Sequence, residues 1–266
     1  MRRGDLMGKI CNLTLMGVTV LLLLGGVCHA CASNEKSSFP QNGNIDGHEY
    51  VDLGLPSGNL WAKCNVGANE EFELGYFFHW GETTPSTPEA EPDYKWICKD
   101  SQGKFKYSKY SVNKWLGVVD NKTVLETEDD AVAAYWGKNW HMPTCGEYQE
   151  LIDGCIWKWV DNYYGMEGLL GTSINNSNTI FFPHAGAFCK WSPLQGQSAS
   201  NMVVIYWTSQ LSTEYGCDDC AMTFSSSKRT LSDKVCDLKR DCIRQVALNV
   251  RGVCCGKKSS VKQEAK

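Results

Sequence analysis

The chain has 266 residues, 42% of them hydrophobic and 21% charged, with a formal net charge of −4. That is enough for one large or two small domains around a real core. The slightly acidic balance argues against a nucleic-acid binder, which carries a basic footprint. Ten tryptophans and 25 glycines suit a loop-rich β domain plugged by aromatics and suit a helical bundle poorly.

Residues 1–31 read as an export signal. Arg2, Arg3 and Lys9 give a positive start, and Leu13 to Val27 is apolar around Leu21–Leu24. The run is shorter than the ~20 residues a spanning helix needs. Three outcomes stay open: acylation at Cys31, as in a bacterial lipoprotein with Cys28 at an unusual box position; cleavage at Ala30-Cys31-Ala32 with plain secretion; or a retained anchor. Acylation would attach the protein to a membrane through lipid. Residues 32–47 are polar and turn-rich and read as a tether.

The domain then opens with a hairpin. Val51, Leu53 and Leu55 alternate with Tyr50, Asp52 and Gly54, Pro56-Ser57-Gly58 supplies a turn, and Leu60-Trp61-Ala62 begins the return. Tyr76–Trp80 is a candidate strand. A long irregular excursion follows, from Glu82 to about Glu126, interleaving lysines with Tyr94, Trp96, Phe105, Tyr107 and Tyr110. Thr127-Glu-Asp-Asp130 caps one helix, with Val132, Tyr135, Trp136 and Asn139 at helical spacing. Thr144-Cys-Gly-Glu147 is a capping box for a second, striped by Tyr148, Leu151, Ile152 and Cys155. Short strands are expected at 156–160, 168–172, 179–182, 203–209, 221–225 and 245–253, with Asn175–Asn178 as a turn. Residues 256–266 read as a disordered basic tail.

Of fourteen cysteines, eleven lie at or after Cys64, an odd number. Export would make some of them bridges and leave at least one free thiol, whereas small buried apolar thiols are the alternative. Connectivity does not follow from sequence.

Together the hairpin, Tyr76–Thr83, Asp129–Ala131, Trp136–Thr144, Glu147, Glu150-Leu151, Ile180–Gly186, Tyr206–Ser209 and Val250–Val253 form one ordered pattern. It resembles the Fibrobacter succinogenes major paralogous domain, a family of exported bacterial proteins, over residues 48–255. The resemblance implies an α+β, C-type lectin-like fold: two helices flanking small antiparallel sheets, with long irregular loops and paired terminal strands. It also implies that Cys64 can bridge to Cys254 or Cys255. Three positions depart from the pattern: His141 replaces arginine, Gly252 replaces proline, and Thr208 replaces serine.

The candidate chemistry is thin. Glu91-Pro92-Asp93 mimics a lectin calcium triplet but precedes the helices, and calcium needs six to eight oxygens, so no metal or cofactor is expected. Cys217-Asp-Asp-Cys220 has redox or zinc spacing. Its aspartates would raise the thiol pKa values and further ligands are missing, so a structural pair fits better. Formylglycine-generating oxidases share the broader fold and the Pro-Thr-x-x-Glu helix start. Their Cys chemistry would fall here to Cys236 and Cys242, or to Cys254-Cys255, without the surrounding site. The remaining candidate is an aromatic face of Trp96, Tyr107, Tyr110 and Trp115, with Trp191 as a second. Such faces stack on sugars and cations, but the same residues can pin the loop to the core. The expectation is an exported binding module without catalysis, recognising a glycan or a surface protein. A structural surface component and a Cys-dependent oxidase are the alternatives.

Overall fold

The computed structural model of the protein describes residues 42–86, 94–185, 203–212, 220–227 and 236–256. β1 (Asn42–Ile45), β2 (His48–Asp52) and β3 (Leu60–Asn65) form an opening meander. Asp46 and Gly47 link β1 to β2, both at positive φ, as a two-residue I′ hairpin requires. Folded structure therefore reaches back into the stretch read as a tether. The Pro56-Ser57-Gly58 turn forms as expected, with Gly58 N–H donating to Leu55 C=O.

β4 (Phe77–His79) follows, and the excursion builds its own hairpin from β5 (Ile97–Lys99) and β6 (Phe105–Tyr107). A 3-10 turn at Thr127–Asp129 leads into α1 (Ala131–Trp136) and β7 (Trp140–His141). Next come α2 (Cys145–Asp153), β8 (Cys155–Tyr163), β9 (Met166–Ser173) and β10 (Thr179–Pro183). β11 (Val203–Leu211), β12 (Cys220–Ser227), β13 (Cys236–Ile243), β14 (Ala247–Asn249) and β15 (Arg251–Cys254) complete the fold. Four sheets result, ordered β1-β2-β3-β15-β7, β10-β9-β8, β13-β12-β11-β14-β4 and β5-β6. Among the described residues no helix is long and apolar enough to cross a membrane.

Two helices flanking small sheets, the expected C-type lectin-like arrangement, is not what the chain forms. Strand accounts for 44% of the structure and helix for 11%, so the sheets set the architecture. The causes are local. α1 has six residues; it stops at Gly137 with φ of 87°, and Asn139, expected on the helix, lies beyond it in the turn to β7. α2 has nine residues, and Cys155, expected on its stripe, instead opens β8. The caps themselves are as expected. Asp130 accepts from Val132 N–H and Ala133 N–H, and Thr144 with Glu147 closes a full capping box.

The first sheet is apolar on both faces. Tyr50, Leu60, Ala62, Trp140 and Cys254 join one core with Trp80, Trp136 and Trp207. Val51, Trp61 and Val253, one residue out of phase, join a second core with Tyr148, Phe182 and Phe224. Strand alternation thus feeds two cores instead of one core and solvent.

β15, between β3 and β7, carries the most constrained group. Arg251 is fully buried. Its guanidinium donates to Asn65 Oδ1 (2.8 Å), to the carbonyls of Ala62 (3.0 Å) and Lys63 (2.6 Å), and to that of Phe181 (2.9 Å). It also lies 4.7 Å from the Phe182 ring centroid. Gly252 follows at a register shift, and a Cβ there would run into the Trp136 ring. This explains glycine at that position.

His141, another of the departures, meets Glu147 at 2.9 Å. Burial lowers the imidazole pKa, but the Glu147 hydrogen bond and charge, helped by Asp130, outweigh it and hold it above 6.5. Burial likewise pushes Glu147 up, and the His141 contact with the Thr144 hydrogen bonds holds it below 4.5.

Two outcomes are expected. Arg251→Met leaves several buried acceptors unpaired and should lower stability by more than about 3 kcal/mol, and Gly252→Ala by about 1–3 kcal/mol, both read by urea denaturation. The His141–Glu147 contribution is complete above the ordinary Glu value and below the ordinary His value. It falls as pH rises through the raised His141 pKa, and as pH drops through the lowered Glu147 pKa. The melting-temperature gap between wild type and His141→Asn should therefore be flat from about pH 5 to 6.5 and shrink by about pH 8; a gap that widens with pH would refute the pairing.

Candidate functional site

The excursion's aromatics divide into two sets. Tyr110 is fully buried; its hydroxyl donates to Asp129 Oδ2 (2.7 Å) and accepts from Glu126 N–H (3.0 Å). Tyr107 is buried with the Arg244 guanidinium 3.6 Å from its ring centroid. Half-buried Trp96 donates through Nε1 to Gly81 C=O (2.8 Å) and packs on the first core. These three pin the loop, with Tyr107 and Tyr110 turned inward and Trp96 half-covered. The buried Asp129 carboxylate organises them, pairing with Lys95 and Lys109. Trp115 alone of the four stays outside, 69% exposed. Trp191, Cys31, Cys217 and Glu91–Asp93 lie outside the described residues. Cys220 opens β12, but its side chain lies outside the description as well.

In the structure Cys64 lies apart from Cys254 and Cys255, the partners the resemblance implies for a bridge. The β3–β15 register explains this, because Cys254 pairs with Leu60 and Arg251 with Asn65. Cys64 is thus four residues along the strand from Cys254's partner, roughly 13 Å away. Burial raises the Cys64 pKa and pushes the Cys155 thiol up to about 12.

A polar pocket of about 250 Å³ sits elsewhere, lined by Asn42, Val51, Lys63, Glu71, Tyr163, Ser177, Asn178 and Thr179. Its volume is just under that of drug-sized sites and suits a single small ring. Local sequence builds each wall. Tyr164 and Gly165 both take positive φ between β8 and β9, and Gly165 N–H donates to Asn162 Oδ1. The register shift between Val160 and Tyr163 rotates the end of β8. Tyr163 then stacks on Phe181 (4.2 Å, 18°) and donates to Glu71 Oε1 (2.7 Å). Burial and that hydrogen bond raise the phenol pKa. Tyr164 stands 76% exposed beside Phe72, centroids 5.6 Å apart.

On the opposite wall, Asn176 and Asn178 donate their amides to Asp52 C=O (2.8 and 2.7 Å), fixing the turn that presents Ser177 and Thr179. Lys63 is held by Glu49 at 3.1 Å. The pocket thus combines a carboxylate, an ammonium, amides, two hydroxyls and an aromatic rim. Sugar hydroxyls can donate to and accept from such groups, and sugar C–H faces pack on aromatic rings. Sequence reading took Asn175–Asn178 only as a turn and passed over Asp161–Gly165. The usable signal was Asn-Tyr-Tyr-Gly, a turn sequence with two aromatics.

The thiol pattern is checkable. Under native conditions a thiol reagent should label exposed Cys98 and Cys255 quickly, and Cys155 and Cys254 only on unfolding. A non-reducing peptide map that links Cys64 to Cys254 or Cys255 would contradict the observed register.

Comparison of the chain with protein-family models, with curated proteins and with solved structures found no match.

Proposed function

We propose that this chain is an exported binding module, held at a membrane through Cys31 or released after cleavage, that takes a glycan ring in the pocket lined by Lys63, Glu71 and Tyr163 without transforming it. The observation that carries the reading is the pairing of a preformed polar pocket with an aromatic rim on rigid strands. Such a mixture orients a polyhydroxylated ligand, whereas an apolar ligand would displace water from the Glu71 and Lys63 charges without replacing its hydrogen bonds. Membership in the major paralogous domain family belongs to the same proposal and rests on the ordered motifs alone.

The absence of catalysis is also proposed, on three grounds. Burial pushes the Cys64 and Cys155 thiols toward their protonated form. His141 is held by Glu147, and His184 lies 3.1 Å from Glu167. Cys236 and Cys242, one of the two pairs an oxidase could use, lie on one strand, six residues and roughly 20 Å apart. A purely structural surface role is the competing reading.

A glycan array followed by calorimetry separates the two. Binding should appear, and Lys63→Gln and Glu71→Gln should each weaken it about tenfold with unchanged melting temperature. Silence on a dense array, or wild-type affinity in both variants, would favour the structural role.

A further inference from the structure

The excursion that buries Tyr107 and Tyr110 inward presents a second set of side chains outward. β5 and β6 pair with Lys99 opposite Phe105. The chain then returns beside β6: Tyr107 N–H donates to Leu116 C=O, Val118 N–H donates to Tyr107 C=O, and Lys106 Nζ donates to Trp115 C=O. Gly117 permits this approach, since a Cβ there would strike Tyr107. The result is a ledge on which Phe105 is 65%, Trp115 69%, Val118 61% and Val119 43% exposed.

The ledge is also the basic part of an acidic chain. Residues 94–119 hold six lysines and a single acid, Asp100, while the whole chain has a net charge of −4. Lys95 and Lys109 are bound to Asp129. Lys99, Lys104, Lys106 and Lys114 make no ion pair among the described residues. Asp100 is spent on the tight turn, accepting from Gln102 and Lys104 N–H. Lys99 and Lys114 sit 5.3 and 5.1 Å from the Phe105 and Trp115 ring centroids. Each exposed aromatic therefore has an ammonium beside it.

We propose that this ledge docks on an anionic lipid surface, with Phe105, Trp115, Val118 and Val119 entering the headgroup region and the lysines on the lipid phosphates. Aromatic rings settle at the headgroup level, and clustered lysines are drawn to acidic lipids. An acidic protein or polysaccharide would use the lysines but would need a matching cavity for four exposed apolar side chains. A lipid interface accepts them without one. The inference rests on the membrane-held form of the proposed function, and is independent of what the pocket binds.

The test uses the full chain, so that its apolar N-terminal segment is present in every arm. The protein is bound to vesicles of phosphatidylcholine alone, or of equal parts phosphatidylcholine and phosphatidylglycerol, and labelled with an amine-acylating reagent. Lys99, Lys104 and Lys114 should label about fivefold more slowly on the anionic vesicles, while Lys138 and Lys158 are unchanged. High salt should abolish the difference. The double variant Phe105→Ser, Trp115→Ser should restore labelling, with near-UV dichroism confirming its fold. Equal labelling on both vesicle types would overturn the proposal. So would equal protection of Lys138 and Lys158, undiminished protection in the double variant, or protection by a soluble polyanion in place of vesicles. None of these outcomes touches the glycan reading, which the array decides separately.

Discussion

Arg251 is a guanidinium buried without a carboxylate partner among the described residues. Placing a charge in so dry a setting is unfavourable unless its donors are met. Here backbone carbonyls and one amide meet them, from β3 and β10. Those acceptors lie in two different sheets, so one side chain clamps them together. Asn65 extends the network, donating to Tyr206 Oη on β11 and to Leu74 C=O. Asn249 donates to Leu74 and Tyr76 carbonyls as well. The loop between β3 and β4 is thus held at its far end by buried amides.

That loop carries Glu71 and Phe72. Phe181, whose carbonyl Arg251 holds, carries the Tyr163 ring. Two walls of the polar pocket therefore trace back to one buried cation, and the pocket's shape does not depend on loop order alone. The outer ledge has a comparable root: Arg244 donates to Tyr110 C=O (3.0 Å) and lies over Tyr107. Both surfaces are fastened by arginines that lie inside.

Much of the local structure was legible. The Pro56–Gly58 turn, the Asp130 cap and the Thr144–Glu147 box each rest on neighbouring residues whose chemistry admits few alternatives. The Asp46-Gly47 hairpin was equally legible but stood in polar company that resembled a linker. The fold class was not legible, because helical spacing around Trp136 could not reveal that Gly137 ends the helix. The pocket escaped because its lining comes from six separate stretches, none patterned by itself. Arg251 escaped for a different reason, since an arginine in sequence reads as solvent-exposed. In the excursion, aromatic spacing follows no period, so nothing distinguished inward Tyr110 from outward Trp115.

A sheet with apolar residues on both sides poses a problem of alignment. Where one face is wet, slipping a strand by a single position strands greasy side chains in water, and that penalty enforces the correct pairing. In the sheet β1-β2-β3-β15-β7 the same slip would merely exchange Trp61 for Leu60 between two oily compartments. Hydrophobicity is nearly blind to that error. The discrimination must come from groups that fit one alignment only: the Arg251 fork with its fixed acceptors, and the bare Cα of Gly252 beneath the indole of Trp136. Weakening either would first blur which neighbour each strand chooses, before it loosened the strands themselves.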